Sequence, residues 1–178
     1  MVVAAGATAV LTVDLDALAA NYRTLRAHLA TEAECAAVVK ADGYGLGAAE
    51  TAARLSREGC KTFFVASLDE GIDLRAALPA PEIYVFLGPE SDTVAEFEAN
   101  RLTPVLNRPD QIALWRRRGR ESGKPVPAAI QLDTGMSRLG LAEPETVAIA
   151  AETDWRDGLD LRLVMSHLAC ADDPDDAM

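Results

Sequence analysis

No broad basic field runs through this chain. Lysine and arginine number 17 against 28 acidic residues, a net charge of −11 with a pI near 4.6, so nothing draws it to the backbone of a nucleic acid. Long apolar runs are missing too: none approaches the length of a membrane span. The opening Met1–Ala9 is small and apolar but lacks the basic residues that begin a signal peptide, and acids follow at Asp14 and Asp16. Cysteines are few: Cys35, Cys60 and Cys170 lie far apart, with no Cys-x-x-Cys pair and no metal-ligand spacing. That excludes a disulfide framework and a structural zinc site, and it reads as free buried thiols in a reducing cytoplasm. There are no internal repeats and no low-complexity linkers. The chain has 178 residues, 49% of them hydrophobic, which suits one globular domain with a real core.

Strand and helix patterns alternate through most of the length. Val10–Leu15 alternates and reads as a strand, and Asp16 then caps a helix with Leu18, Tyr22, Leu25 and Leu29 on one face. His28 lies beside that stripe as a surface residue. Cys35–Lys40 reads as a buried strand, and Ala48–Glu58 as a helix closed by Gly59. Phe63–Ala66 is the next strand, and Ser67 with Glu70 makes a capping-box pattern for a helix running to about Leu78. Ile83–Leu87, Leu102–Leu106, Val126–Asp133 and Leu159–Ser166 read as further strands. Helices opening at Ser91, at Asn107–Pro109 and at Glu143 lie between them. Arg116, Arg117, Arg118 and Arg120 fall near the end of one helix, where cations complement the helix dipole in water.

Repeated strand–helix units with short connections predict a parallel sheet with helices outside it. About six units are legible, and a closed (β/α)8 barrel needs eight. The fold expected is α/β: an incomplete TIM-like barrel. An open dinucleotide-binding sheet is the alternative, but no phosphate-binding glycine fingerprint opens the first helix. The acidic tail from Ala171 to Met178 reads as a solvated loop.

The chain is organised around Ala36–Gly47. An apolar run ends in Lys40, and Gly43, Gly45 and Gly47 follow with Tyr44 among them. Lys40 is therefore expected at the carboxyl end of a buried strand, where parallel α/β folds bind ligands. Apolar walls there would disfavour the ammonium and leave an amine able to act as nucleophile or base. The plainer reading is a surface lysine whose head reaches water. The glycines allow close backbone approach to a ligand, and the Tyr44 hydroxyl can donate to an anion such as phosphate. An amine beside a phosphate-reaching hydroxyl suits pyridoxal phosphate, whose aldehyde a lysine captures as a Schiff base.

The stretch Val38-Val39-Lys40-Ala41-Asp42-Gly43-Tyr44-Gly45-Leu46-Gly47 resembles the cofactor-lysine signature of alanine racemases. Asp133-Thr134-Gly135-Met136-Ser137-Arg138-Leu139-Gly140 resembles a second signature of that family, and Ser166-His167-Leu168-Ala169 is a looser third. They occur in the family's order, and the likeness spans about Val13 to Ala169.

The resemblance implies a pyridoxal-phosphate-dependent enzyme that interconverts L- and D-alanine and supplies D-alanine for peptidoglycan, working as a cytoplasmic homodimer. It implies that Lys40 carries the cofactor and then serves as the base on one face of the substrate carbon. Tyr44 would bond the cofactor phosphate, or be a packed aromatic. Arg138 would lie near the cofactor's phenolic oxygen and the substrate carboxylate, or be a solvated loop charge. His167 would stand beside the cofactor ring, or be a satisfied core histidine. The family's second base is a tyrosine from the partner subunit's C-terminal domain, and no residue here matches it. Alanine racemases continue into the rest of the barrel and a β-rich C-terminal domain, so residues 1–178 resemble the N-terminal portion, a piece expected to be inactive alone. One departure stands out. Many members carry a carbamylated lysine two residues before the aspartate of the second signature, and here that position is Gln131. A neutral amide cannot make the same charge-assisted contact to Arg138. The alternatives are a non-catalytic cofactor-binding barrel of the homeostasis type, or a racemase or decarboxylase for another amino acid.

Overall fold

The computed structural model describes residues 8–173 together with 175 and 176. The expectations for Met1–Ala9 and for the acidic tail therefore fall partly outside the described residues.

Six strands form one parallel sheet in the order β1-β2-β3-β4-β5-β6. They are β1 (Ala37–Val38), β2 (Thr62–Val65), β3 (Glu82–Val85), β4 (Thr103–Leu106), β5 (Val126–Leu132) and β6 (Leu159–Ser166). The helices are α1 (Leu15–Ala27), α2 (Lys40–Gly45), α3 (Ala48–Arg57), α4 (Leu68–Ala77), α5 (Val94–Ala99), α6 (Pro109–Ser122) and α7 (Glu143–Ala150). Each strand pairs only with its neighbours in sequence, and among the described residues β1 and β6 do not meet. Among the described residues this is an open run of six parallel strands alternating with helices, the incomplete TIM-like barrel expected, short of the eight strands of a closed one.

Strand parity divides the core. Phe63 and Val65, Ile83 and Val85, and Ala128 and Ile130 face the helices and pack with Leu55, Leu74, Phe97 and Trp115. Their neighbours Phe64, Tyr84, Val105 and Ala129 form a second cluster on the other face, joined by Phe86, Leu163 and Met165. Phe64 stacks on Tyr84 at 4.9 Å and on Phe86 at 5.2 Å between ring centroids. Side chains alternate across a strand, so one run of residues supplies both the shell under the helices and the lining of the barrel's interior.

Several expectations need correction. Residues 10–14 form no strand, because no neighbouring backbone pairs with them, and Leu11 is 82% exposed. Asp14, not Asp16, caps α1: its carboxylate accepts from the N–H groups of Asp16 and Ala17. The face of α1 that is buried centres on Ala19 and Tyr22, while Leu25 is left in solvent. The ladder of β1 is two residues long, shorter than Cys35–Lys40. The arginines of α6 are not simply solvated. Arg116 pairs with Glu152 at 2.6 Å, Arg118 with Glu98 at 2.7 Å and Arg120 with Asp157 at 3.4 Å.

Candidate active site

Lys40 follows the end of β1, and what comes next is a turn of the wrong hand. Ala41, Asp42, Gly43 and Tyr44 all lie in the left-handed region, with φ 52, 52, 63 and 57° and ψ 51, 49, 37 and 36°. Outside glycine that conformation costs about 1–2 kcal/mol per residue, so local preference opposes this turn and surrounding bonds must hold it. Gly43 N–H donates to the Val39 carbonyl and Gly47 N–H to the Asp42 carbonyl, both at 2.9 Å. The Asp42 carboxylate accepts from Ala48 N–H at 2.8 Å at the start of α3. Ala41 N–H donates to the Glu70 carboxylate at 2.8 Å. Gly43 is buried, and a Cβ there would stand 3.2 Å from the Ala48 backbone. The glycine at 43 serves this close helix contact.

The second element is the loop between β5 and α7. Its base is pinched shut: Leu141 N–H donates to the Gln131 carbonyl at 2.8 Å, and Asp133 N–H to the Leu141 carbonyl at 2.9 Å. Inside the loop one carboxylate oxygen of Asp133 accepts from Ser137 N–H at 2.9 Å and from Gly135 N–H at 3.0 Å. Those amides, Ser137 foremost, hold the Asp133 carboxyl below the usual carboxylate range. Arg138 projects from this loop. The buried Gln131 side chain donates to the Leu139 carbonyl at 3.3 Å, so it steadies the backbone beside Arg138 rather than its guanidinium.

His167 directly follows β6. Lys40, Tyr44, Arg138 and His167 all line one cavity of about 510 Å³ at the carboxyl ends of the strands. Phe64, Phe86 and Met165 form its apolar floor, and Gln131 borders it. Lys40 is half-buried, with its Nζ 5.9 Å from the centroid of the Tyr44 ring. Tyr44 is 63% exposed and is not a packed core aromatic. His167 is also exposed and is not a core histidine. Among the described residues, the side chains of Arg138 and His167 have no hydrogen-bond or ion-pair partner. An amine, a phenol, a guanidinium and an imidazole thus face a cavity with an aromatic floor. Such a set can hold a planar anionic ligand and move protons within it. Sequence reading missed the floor and Glu70. The floor was encoded in strand parity, and the partner of Glu70 had no local signal.

Among the described residues, no helix is long and apolar enough to cross a membrane. The profile of the family described as alanine racemase, N-terminal domain, matches residues 13–178. The chain is 52% identical over 171 residues to "Alanine racemase, catabolic" of Mesorhizobium japonicum, covering 96% of this chain and 45% of that protein. It is 47% identical over 170 residues to the alanine racemase of Rhodospirillum rubrum, covering 95% and 46%. The crystal structure of alanine racemase from Bartonella henselae with covalently bound pyridoxal phosphate superposes with a TM-score of 0.86 at 37% identity, covering 92% of this chain and 46% of that one. The chain spans about half the length of the curated relatives it matches.

Proposed function

The chain belongs to the alanine racemase N-terminal domain family, and on that premise we propose that it is the N-terminal portion of a pyridoxal-phosphate-dependent alanine racemase. Residues 1–178 then supply most of a barrel whose last units and C-terminal β domain lie outside this chain, and without them it is inactive. Among the described residues the outer edges of β1 and β6 are unpaired, which supports this, since they are where further strand–helix units would dock.

The observation that carries the reading is convergence. Four side chains drawn from positions 40 to 167 line a single cavity. The donor set fits the cofactor: Lys40 offers a primary amine for a Schiff base, Tyr44 a hydroxyl for the phosphate, and Arg138 a guanidinium near the phenolic oxygen. His167 and the Phe64–Phe86 floor offer surfaces for the ring. When bound, pyridoxal phosphate supplies an electron sink that makes an α-proton of alanine removable.

The rest is the work of this chain's own groups. The Lys40 amine, freed when the amino acid takes its place, accepts the α-proton from D-alanine and returns it in the opposite direction. Arg138 pairs with the substrate carboxylate, for which a planar guanidinium is suited. Tyr44, wet and beside Lys40, holds the phosphate and is not the opposing base. That base comes from outside this chain; by the family resemblance it is a tyrosine of the partner subunit's C-terminal domain, in a homodimer.

The test is an adduct. In the full-length protein, borohydride reduction followed by peptide mass analysis should place the cofactor on Lys40. Lys40→Ala should lose both the Schiff-base absorption and racemisation. A Lys40→Ala protein that kept both would refute the assignment. Uptake at Lys40 without turnover on any amino acid would favour a cofactor-carrying barrel, and turnover of another amino acid would move the substrate.

The physiological direction has two readings. Supply of D-alanine for peptidoglycan in the cytoplasm is one. The name "Alanine racemase, catabolic" carried by the 52%-identical relative favours alanine breakdown instead. A deletion strain that needs added D-alanine to grow supports the first, and one that only fails to grow on alanine supports the second.

A further inference from the structure

The capping pattern at the start of α4 is only half built. Glu70 N–H donates to the Ser67 hydroxyl at 3.4 Å, as a cap requires. The Glu70 carboxylate, however, does not return to Ser67. One of its oxygens accepts from Ala66 N–H and the other from Ala41 N–H, each at 2.8 Å. Ala41 lies 29 positions away and directly follows Lys40. One side chain therefore ties the peptide unit leaving Lys40 to the end of β2.

We propose that Glu70 is a positioning residue for Lys40, holding the left-handed turn that aims the lysine into its cavity. The inference rests on the reading of Lys40 as the cofactor-bearing amine. Two features make the clamp necessary. The ladder of β1 is two residues long, and one further bond, from Val39 N–H to the Phe64 carbonyl at 2.9 Å, ends the pairing one residue before Lys40. Ala41 opens a run of four left-handed residues, three of which are not glycine. An unheld Ala41 would relax to the right-handed side and turn the Cα–Cβ bond of Lys40 with it. Charge-assisted bonds from two backbone N–H groups to one carboxylate oppose that relaxation.

Glu70→Gln is the informative change. It keeps size and shape, but one of its two ends becomes an NH2 that faces an N–H and cannot accept. In the full-length protein, titrated with pyridoxal phosphate, Glu70→Gln should bind about tenfold more weakly and form the Lys40 adduct more slowly. Ser67→Ala removes the helix cap without touching Ala41, and it should leave cofactor affinity unchanged. Adding Ala41→Gly to Glu70→Gln should restore part of the affinity, because glycine adopts the left-handed conformation freely. Equal losses in Glu70→Gln and Ser67→Ala, no loss in Glu70→Gln, or no rescue by Ala41→Gly would each overturn the proposal. Should Glu70→Gln fail to fold, hydrogen exchange on the unaltered protein decides: a protected Ala41 amide is expected, and an unprotected one overturns the clamp. The same titration of Lys40→Ala reads the underlying assignment separately. If it takes up cofactor as the unaltered protein does, the role of Lys40 falls whatever Glu70 does.

Discussion

The buried side-chain amide of Gln131 donates to the backbone carbonyl of Leu139 at 3.3 Å, one residue beyond Arg138. Where the family often has a charged, modified lysine acting on the arginine head, this chain has a neutral group acting on the loop that carries it. Gln131→Ala should leave the Leu139 carbonyl without its donor and cost about 1–2 kcal/mol of stability. In the full-length protein it should raise KM for alanine more than it lowers kcat, because Arg138 is loosened and not removed. Urea unfolding and steady-state kinetics measure the two effects.

Gly140 has φ +106°, and a Cβ there would stand 2.7 Å from the backbone nitrogen of Asp133. Backbone cannot move aside at the pinched base of the loop. Gly140→Ala should therefore destabilise the protein by roughly 2–4 kcal/mol. It should also broaden the backbone NMR signals of 133–140, while the core signals of Phe63 and Trp115 stay sharp.

The Ser137 and Gly135 amides hold the Asp133 carboxyl below its usual range, which gives the Arg138 loop a pH dependence of definite sign. A lowered native pKa means that the stabilisation is fully present above the ordinary aspartate value near 4 and is lost as pH falls through the native value. The Ser137 amide shift should move toward its random-coil position across that acid window. In Asp133→Asn the same amide should show no such transition.

At alkaline pH the sign reverses. Burial raises Tyr22 to about 12, helped by the nearby Cys60, and raises Tyr84 to about 12, helped by the Glu82 carboxylate that its hydroxyl bonds. A raised native pKa stabilises below the unfolded value near 10 and loses that contribution as pH climbs through 12. An ultraviolet titration should show Tyr22 and Tyr84 ionising late, together with unfolding. Tyr22→Phe should leave one late group.

Much of this was readable from residues alone, for physical reasons that differ by element. β6 appears with the bounds Leu159–Ser166 that its pattern suggested, because an apolar run between Gly158 and His167 has clear stops at both ends. Lys40 and His167 were placed at strand ends by the same logic, and they do meet in one cavity. Val10–Leu15 misled because alternation signals a strand only where another backbone is there to pair with it. The turn at Ala41–Tyr44 was illegible because only Gly43 of its four residues prefers that conformation, and the bond opposing the strain at Ala41 comes from residue 70. Glu70 itself looked like a local cap, since spacing along a chain says nothing of a partner on another loop.

The strictly sequential strand order has a consequence for how the molecule is made. A ribosome releases β1 first, and every later strand finds its partner already outside the exit tunnel. Assembly needs no strand held in reserve for a late insertion. Once α4 has emerged, both ends of the Glu70–Ala41 bond are available, so Lys40 can be set in its final pose while the far side of the cavity is still being translated.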